Sequence, residues 1–179
     1  MAKKSKNSGK ISAVLSGNNV FSNSSSAFSL HNDSQFGEVV SGKVSYSLVE
    51  ALYLLHSNKM ELSYGKKKLS ADAFMKEAIS LEPNFMIRSA VFYDLRSKGY
   101  LVKTELKFGA DFRVYEKGKK MGQDHAKWIV FPVHESAGMT WHEFSSKNRV
   151  AHSSKKNLLI AVVDDEGEVT YYEARWIKP

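Results

Sequence analysis

Cysteine is absent from the 179 residues. Disulfides, thiolate catalysis and cysteine-ligated zinc are thereby excluded, and the absence fits an intracellular, cytoplasmic protein. Long apolar runs are missing too. No stretch approaches the roughly 18 residues that span a bilayer, and the apolar segment after the basic start MAKKSKNSGK is too short for the core of a signal peptide. No membrane partner is expected. The six histidines, His31, His56, His125, His134, His142 and His152, show neither HExxH nor another tight metal-ligand spacing. There is no glycine-rich phosphate loop, no G-x-S-x-G elbow and no internal repeat. Neither a metal nor a cofactor is expected.

What is present is a chain with 42% hydrophobic residues and a formal charge of +7, from 26 Lys+Arg against 19 Asp+Glu. That is enough apolar material for one large domain or two small ones, and the sign of the charge suits a polyanion such as nucleic acid. Residues 1–10 read as a disordered basic arm. ISAVL (11–15) and the region around VVSGKVS (39–45) resemble short strands. The Ser- and Asn-rich stretch between them favours turns and hairpins over helix. Ser47 and Glu50 form S-x-x-E, a capping box that starts a helix with Leu48, Leu52 and Leu55 as its stripe. His56 falls near its end, where a cation offsets the dipole. MELSYG reads as a strand, GKKK (65–68) as a lysine-rich turn, and LSADAFMKEAISL as a helix capped by Ser70.

Glu82-Pro83-Asn84 breaks the chain, because the residue before a proline avoids helical geometry; a domain boundary is placed there. FMIRSAVFYDLRSKG follows as a helix with Ile87, Val91 and Leu95 on one line and Gly99 as its stop. Strand YLVKTELKF (100–108) turns through Gly109-Ala110 into strand DFRVYE, and a cationic loop leads on to strand AKWIVFPV. Thr140 and Glu143 cap a helix reaching about Ser153, and strands NLLIAVVD and EVTYYEARWI close the chain around the acidic turn DDEGE. The class is α/β (α+β) in two small domains, 1–82 with mixed α/β content and 83–179 with one mixed sheet flanked by helices.

Several residues invite chemistry. Asp111 and Glu116 suggest a metal-dependent nuclease, but the position two after Glu116 is Gly118 where such a site needs Lys; Asp111 reads better as a hairpin-base residue. Alternation along DFRVYE sends Phe112 and Val114 to the core and Arg113 and Tyr115 to the opposite, open face. Tyr115 is then a surface tyrosine or a site residue, and His125, in its polar loop, a solvated residue or a mobile acid. Lys155 and Lys156 follow a helix end, where cations are common. His134, His142 and His152 read as ordinary structural or surface residues. Together, a phenol, an imidazole and an ammonium on a basic surface can cleave RNA without metal. The 2′-OH must lose a proton to attack its phosphate, the 5′ oxygen must gain one, and the phosphorane needs a cation. The phenol's ordinary pKa near ~10 makes it a weak base, so it must be activated or serve to orient the sugar. The rival reading is a basic RNA-binding module without chemistry.

The blocks GADFRVYEKG, His125, RVAHSSKKNLLIAVVD and the C-terminal YYEARWIKP, with SYSLVEALYLL and YDLRSKGYLVKTELKFGADF, resemble the archaeal tRNA-splicing endonuclease family in the right order over nearly the whole chain. The resemblance implies an N-terminal mixed α/β domain and a restriction-endonuclease-like catalytic domain. It implies metal-independent excision of introns from precursor tRNA at a bulge-helix-bulge, leaving a 2′,3′-cyclic phosphate and a 5′-OH. By motif position, Tyr115 is the general base, His125 the general acid and Lys156 the transition-state cation, with Lys155 its basic neighbour. Arg149 and Trp176, the latter in the terminal strand, are implied to hold a bulged base. The turn Asp164-Asp165-Glu166-Gly167-Glu168 is implied to dock on a neighbouring subunit, in a homotetramer built as a dimer of dimers.

Overall fold

Residues 9–104 and 110–177 are described by a computed structural model. Most of the expected basic arm (1–8), the end of the expected strand 100–108 (105–108) and Gly109 of the expected turn lie outside the described residues. The chain divides into two units, 1–83 and 84–179.

In the first unit, β1 (Ile11–Ser16) and β2 (Asn19–Ser22) form a hairpin, as do β3 (Glu38–Val40) with β4 (Lys43–Ser47) and β5 (Met60–Tyr64) with β6 (Lys67–Leu69). The six strands make one sheet in the order β3-β4-β2-β1-β5-β6, with β1 and β5 parallel. The turn between β3 and β4 places both Ser41 and Gly42 at positive φ, the geometry a two-residue hairpin loop prefers. Two expectations need correction here. The stretch expected to hold only turns contains helix α1 (Ser25–Ser34). Serine is a weak helix former, but the Ser24 hydroxyl accepts the Ala27 N–H at 3.3 Å and Ala27 is fully buried, so cap and packing outweigh composition. The lysine-rich turn is tighter than GKKK: only Gly65 and Lys66 turn, while Lys67 and Lys68 pair with Tyr64 and Ser63.

Helix α2 (Leu48–His56) carries the expected capping box in full. Its stripe is wider than three leucines, because Val49, Glu50, Ala51 and Leu54 are buried as well and Leu55 only half so. Glu50, though buried, is hydrogen-bonded to backbone: it accepts from the Ser47 N–H at 3.1 Å and from the Gly37 N–H at 2.9 Å. Gly37 has φ +67, and a Cβ there would lie 2.6 Å from Val44 Cγ1 and 2.8 Å from the Ser45 carbonyl. Only glycine lets the chain pass this close to β4. Helix α3 (Ala71–Leu81), capped by Ser70 as expected, buries Phe74 and Ala78 and ends just before Pro83.

The second unit opens with α4 (Phe85–Ser97). It closes as a Schellman turn: Gly99, at φ +88, gives its N–H to the Arg96 carbonyl (3.1 Å) and Tyr100 to the Leu95 carbonyl (3.0 Å). The sheet runs β11-β10-β9-β8-β7, from β7 (Leu101–Thr104), β8 (Phe112–Tyr115), β9 (Trp128–His134), β10 (Asn157–Val163) and β11 (Val169–Ala174). Only β9 and β10 are parallel, so the sheet is mixed, and helix α5 (Trp141–Ser153), with its Thr140–Glu143 capping box, is the crossover between them. Cross-strand partners share a face, so the registers assign the two sides. Phe112 pairs with Val130, which pairs with Leu159; this side meets α4, through a Phe92–Phe112 ring pair at 5.9 Å. Ile129 and Leu158 form the other side with Ala151 and Phe144 of α5. The terminal strand is shorter than expected and ends at Ala174, so Trp176 lies beyond it.

Candidate active site

The phenol needs the largest correction. The alternation is as expected: Tyr115 pairs with Leu101, on the opposite side from Phe112 and Val114. That side is not open. The loop 116–127 folds back over the strand end, and Leu101, Ala126 and Met121 pack around the ring, leaving Tyr115 4% exposed. Alternation selects a face, but what covers the face is decided by distant chain.

The loop itself is not loose. Asp124 organises it: its carboxylate accepts the Lys120 N–H at 2.9 Å and pairs with Lys119 Nζ at 3.0 Å, while its own N–H bonds the Lys120 carbonyl at 2.9 Å. These donors hold the Asp124 carboxyl below its ordinary range, with the Lys120 backbone bond the largest cause. Lys127 Nζ meets Glu116 at 2.5 Å, joining the two ends. His125 stands exposed between Asp124 and the buried Ala126.

Lys156 reaches the same face from the start of β10, two strands away from β8. Helix α5 ends in a second Schellman turn: Lys155 bonds the His152 carbonyl and Lys156 the Ala151 carbonyl, each at 2.9 Å. Lys155 takes the left-handed position at φ +56, one that usually goes to glycine. Lys156 Nζ bonds the Ser154 carbonyl at 2.8 Å. The register then aligns the candidates. Val114 pairs with Trp128 and Trp128 with Asn157, so one residue out Tyr115, Lys127 and Lys156 form a row across three adjacent strands. At about 4.8 Å per strand the backbones of Tyr115 and Lys156 are about 10 Å apart. Both share the α5 face by alternation, and His125 is two residues from the row. The fold thus brings Tyr115, His125 and Lys156 to one end of one sheet.

Arg149 is exposed on the last turns of α5. Trp176, 57% exposed, does not point into a core; it meets His152 edge to face with ring centroids 4.3 Å apart. His152, read from the sequence as an ordinary residue, therefore belongs to this end of the molecule. The contact spans 24 positions, and nothing local in the sequence signals it.

The acidic turn lies elsewhere. It closes β10 at the opposite end, about 26 Å from Lys156 at about 3.3 Å per residue. Asp164 is part of the turn, accepting the Glu168 N–H at 2.8 Å, and Asp165 reaches His134 Nε2 at 3.2 Å; Glu166 and Glu168 are exposed. His134 is thus remote from the row. Asp111 is not a backbone-bonding hairpin residue alone: its carboxylate meets Arg88 Nε at 2.6 Å. Burial raises its pKa and outweighs the lowering by Arg88.

An imidazole, a phenol and an ammonium at one sheet end, beside exposed Arg149 and Trp176, can move two protons and neutralise an anion. A family model for the tRNA intron endonuclease catalytic C-terminal domain matches residues 85–171, and one for the tRNA intron endonuclease N-terminal domain matches residues 11–75. The tRNA-splicing endonuclease of Thermococcus kodakarensis is 41% identical over 165 residues, covering 92% of this chain and 96% of its own. That of Nanoarchaeum equitans is 43% identical over 138 residues, covering 74% and 88%. That of Pyrococcus horikoshii is 36% identical over 169 residues, covering 94% and 97%.

Proposed function

The chain belongs to the tRNA intron endonuclease family, and on that premise we propose that it excises introns from precursor tRNA at a bulge-helix-bulge by metal-independent transesterification. Tyr115 takes or orients the 2′-OH proton, the 2′ oxygen attacks its own phosphorus, and the P–O5′ bond breaks. His125 protonates the departing 5′ oxygen, leaving a 2′,3′-cyclic phosphate and a 5′-OH. Lys156 offsets the charge on the phosphorane. The attack is intramolecular, so holding the sugar and phosphate in line contributes much of the acceleration. The observation that carries this reading is the row from Tyr115 through Lys127 to Lys156, with His125 at its edge, inside the segment matched to the catalytic domain.

Incubation with a bulge-helix-bulge RNA in excess EDTA tests the chemistry. Two cuts ending in cyclic phosphate are expected at the rate seen without chelator. Binding without cutting would make the protein an RNA-binding module, and cutting that returns only with Mg²⁺ would point to a metal nuclease.

Assembly is part of the same proposal. The acidic turn is too far from the site of its own subunit to serve it, and its exposed Asp165, Glu166 and Glu168 suit the basic body of another copy. A homotetramer, built as a dimer of dimers, should sediment at about four times the 20.1 kDa chain mass and fall apart when these three carboxylates are replaced by amides. A monomer that cleaves at full rate would rule this out.

A further inference from the structure

Trp176 sits two residues past the last residue of β11, where the chain has left the ladder. An exposed indole in such a place has no fixed direction of its own. Its ring is met by His152, at 4.3 Å and 68° between planes, the edge-to-face geometry that aromatic pairs favour. His152 lies on the last turn of α5, three positions after Arg149, so both side chains share one helix face. The same residue has a second attachment. Its carbonyl accepts the Lys155 N–H in the turn that delivers Lys156. The backbone of His152 thus serves the ammonium and its ring serves the indole, and the two duties separate by substitution.

We propose that His152 is a positioning residue for substrate recognition, whose imidazole seats the Trp176 indole beside Arg149 before RNA arrives. The ligand of this seat is an unstacked base. Every base has a π face for the indole, and a guanidinium can lie over the other side. Pre-placing the indole removes an ordering cost at binding. The inference rests on the RNA-cleavage reading above, but the seat itself is a property of the free protein.

The test compares the wild type with His152→Ala, His152→Phe, Trp176→Ala and the His152→Ala/Trp176→Ala double variant, using a short bulge-helix-bulge RNA. For His152→Ala, KM rises about five- to tenfold, the size of one aromatic pair, while kcat changes less than about twofold because the backbone bond to Lys155 remains. His152→Phe keeps a ring against the indole and restores KM. In the Trp176→Ala background, loss of His152 adds nothing further, since the two act through one contact. The Trp176 emission of the free protein, taken as the difference from each Trp176→Phe counterpart, shifts to the red in His152→Ala. Additive losses, a fall in kcat at constant KM, or an unmoved Trp176 spectrum would each overturn the proposal. If the wild type cuts no RNA at all, the cleavage reading fails separately. The Trp176 spectrum and the affinity for bulged against fully paired RNA then decide the fate of the seat.

Discussion

His125→Ala is expected to slow cleavage of bulged precursor tRNA by about 10²- to 10⁴-fold, the range of one positioned proton donor, with RNA affinity nearly unchanged. The loop's own structure explains why the substitution is clean. Its organising bonds run through the Asp124 carboxylate, the Lys119 ammonium and the Lys120 backbone, and its apolar anchors are Met121 and Ala126. The imidazole is exposed, so truncating it removes a proton donor without opening a cavity. Lysines of the loop still attract the phosphate backbone. His134, the next histidine along the chain, cannot stand in, being paired with Asp165 at the far end of β10. Single-turnover cleavage alongside a filter-binding titration measures both quantities. An alanine variant that cuts at the wild-type rate would remove His125 from the mechanism.

Tyr115 calls for two substitutions, because its ring and its hydroxyl answer different questions. Tyr115→Ala should cost about 3–5 kcal/mol of stability, as for other buried aromatics: the ring is 4% exposed and holds Leu101, Met121 and Ala126 together. Such a variant would lose activity whatever the phenol does. Tyr115→Phe keeps the ring and removes one oxygen. Its urea midpoint should stay close to the wild type, while cleavage falls by about 10²-fold or more if the hydroxyl takes or orients the 2′-OH proton. A phenylalanine variant that is both stable and fully active would leave Tyr115 as packing alone and assign the proton to another group.

The burial of Tyr115 is also where sequence reading reached its limit. Alternation placed it on the correct side of β8, because a strand's period is set within two residues. The covering of that side depends on a loop whose return path is written in tertiary contacts, so an open face was inferred where a packed one exists. The same division holds for α1. Its serines argue against helix locally, yet the buried Ala27 and the Ser24 cap make one.

What the chain announced by itself is what short-range chemistry controls. Both capping boxes, at Ser47 and Thr140, the Gly99 stop and the Ser70 cap are formed as read, since each joins groups within a single turn. Order along the chain, read as a resemblance, pointed to the family that the comparisons establish. Only the tertiary structure could bring Tyr115 within two strands of Lys156, fold Met121 and Ala126 of the loop over the Tyr115 ring, and set His152 against Trp176. Those contacts span 24 to 41 positions or depend on where a loop lies, and no local preference encodes a distance that the packing of a whole sheet defines.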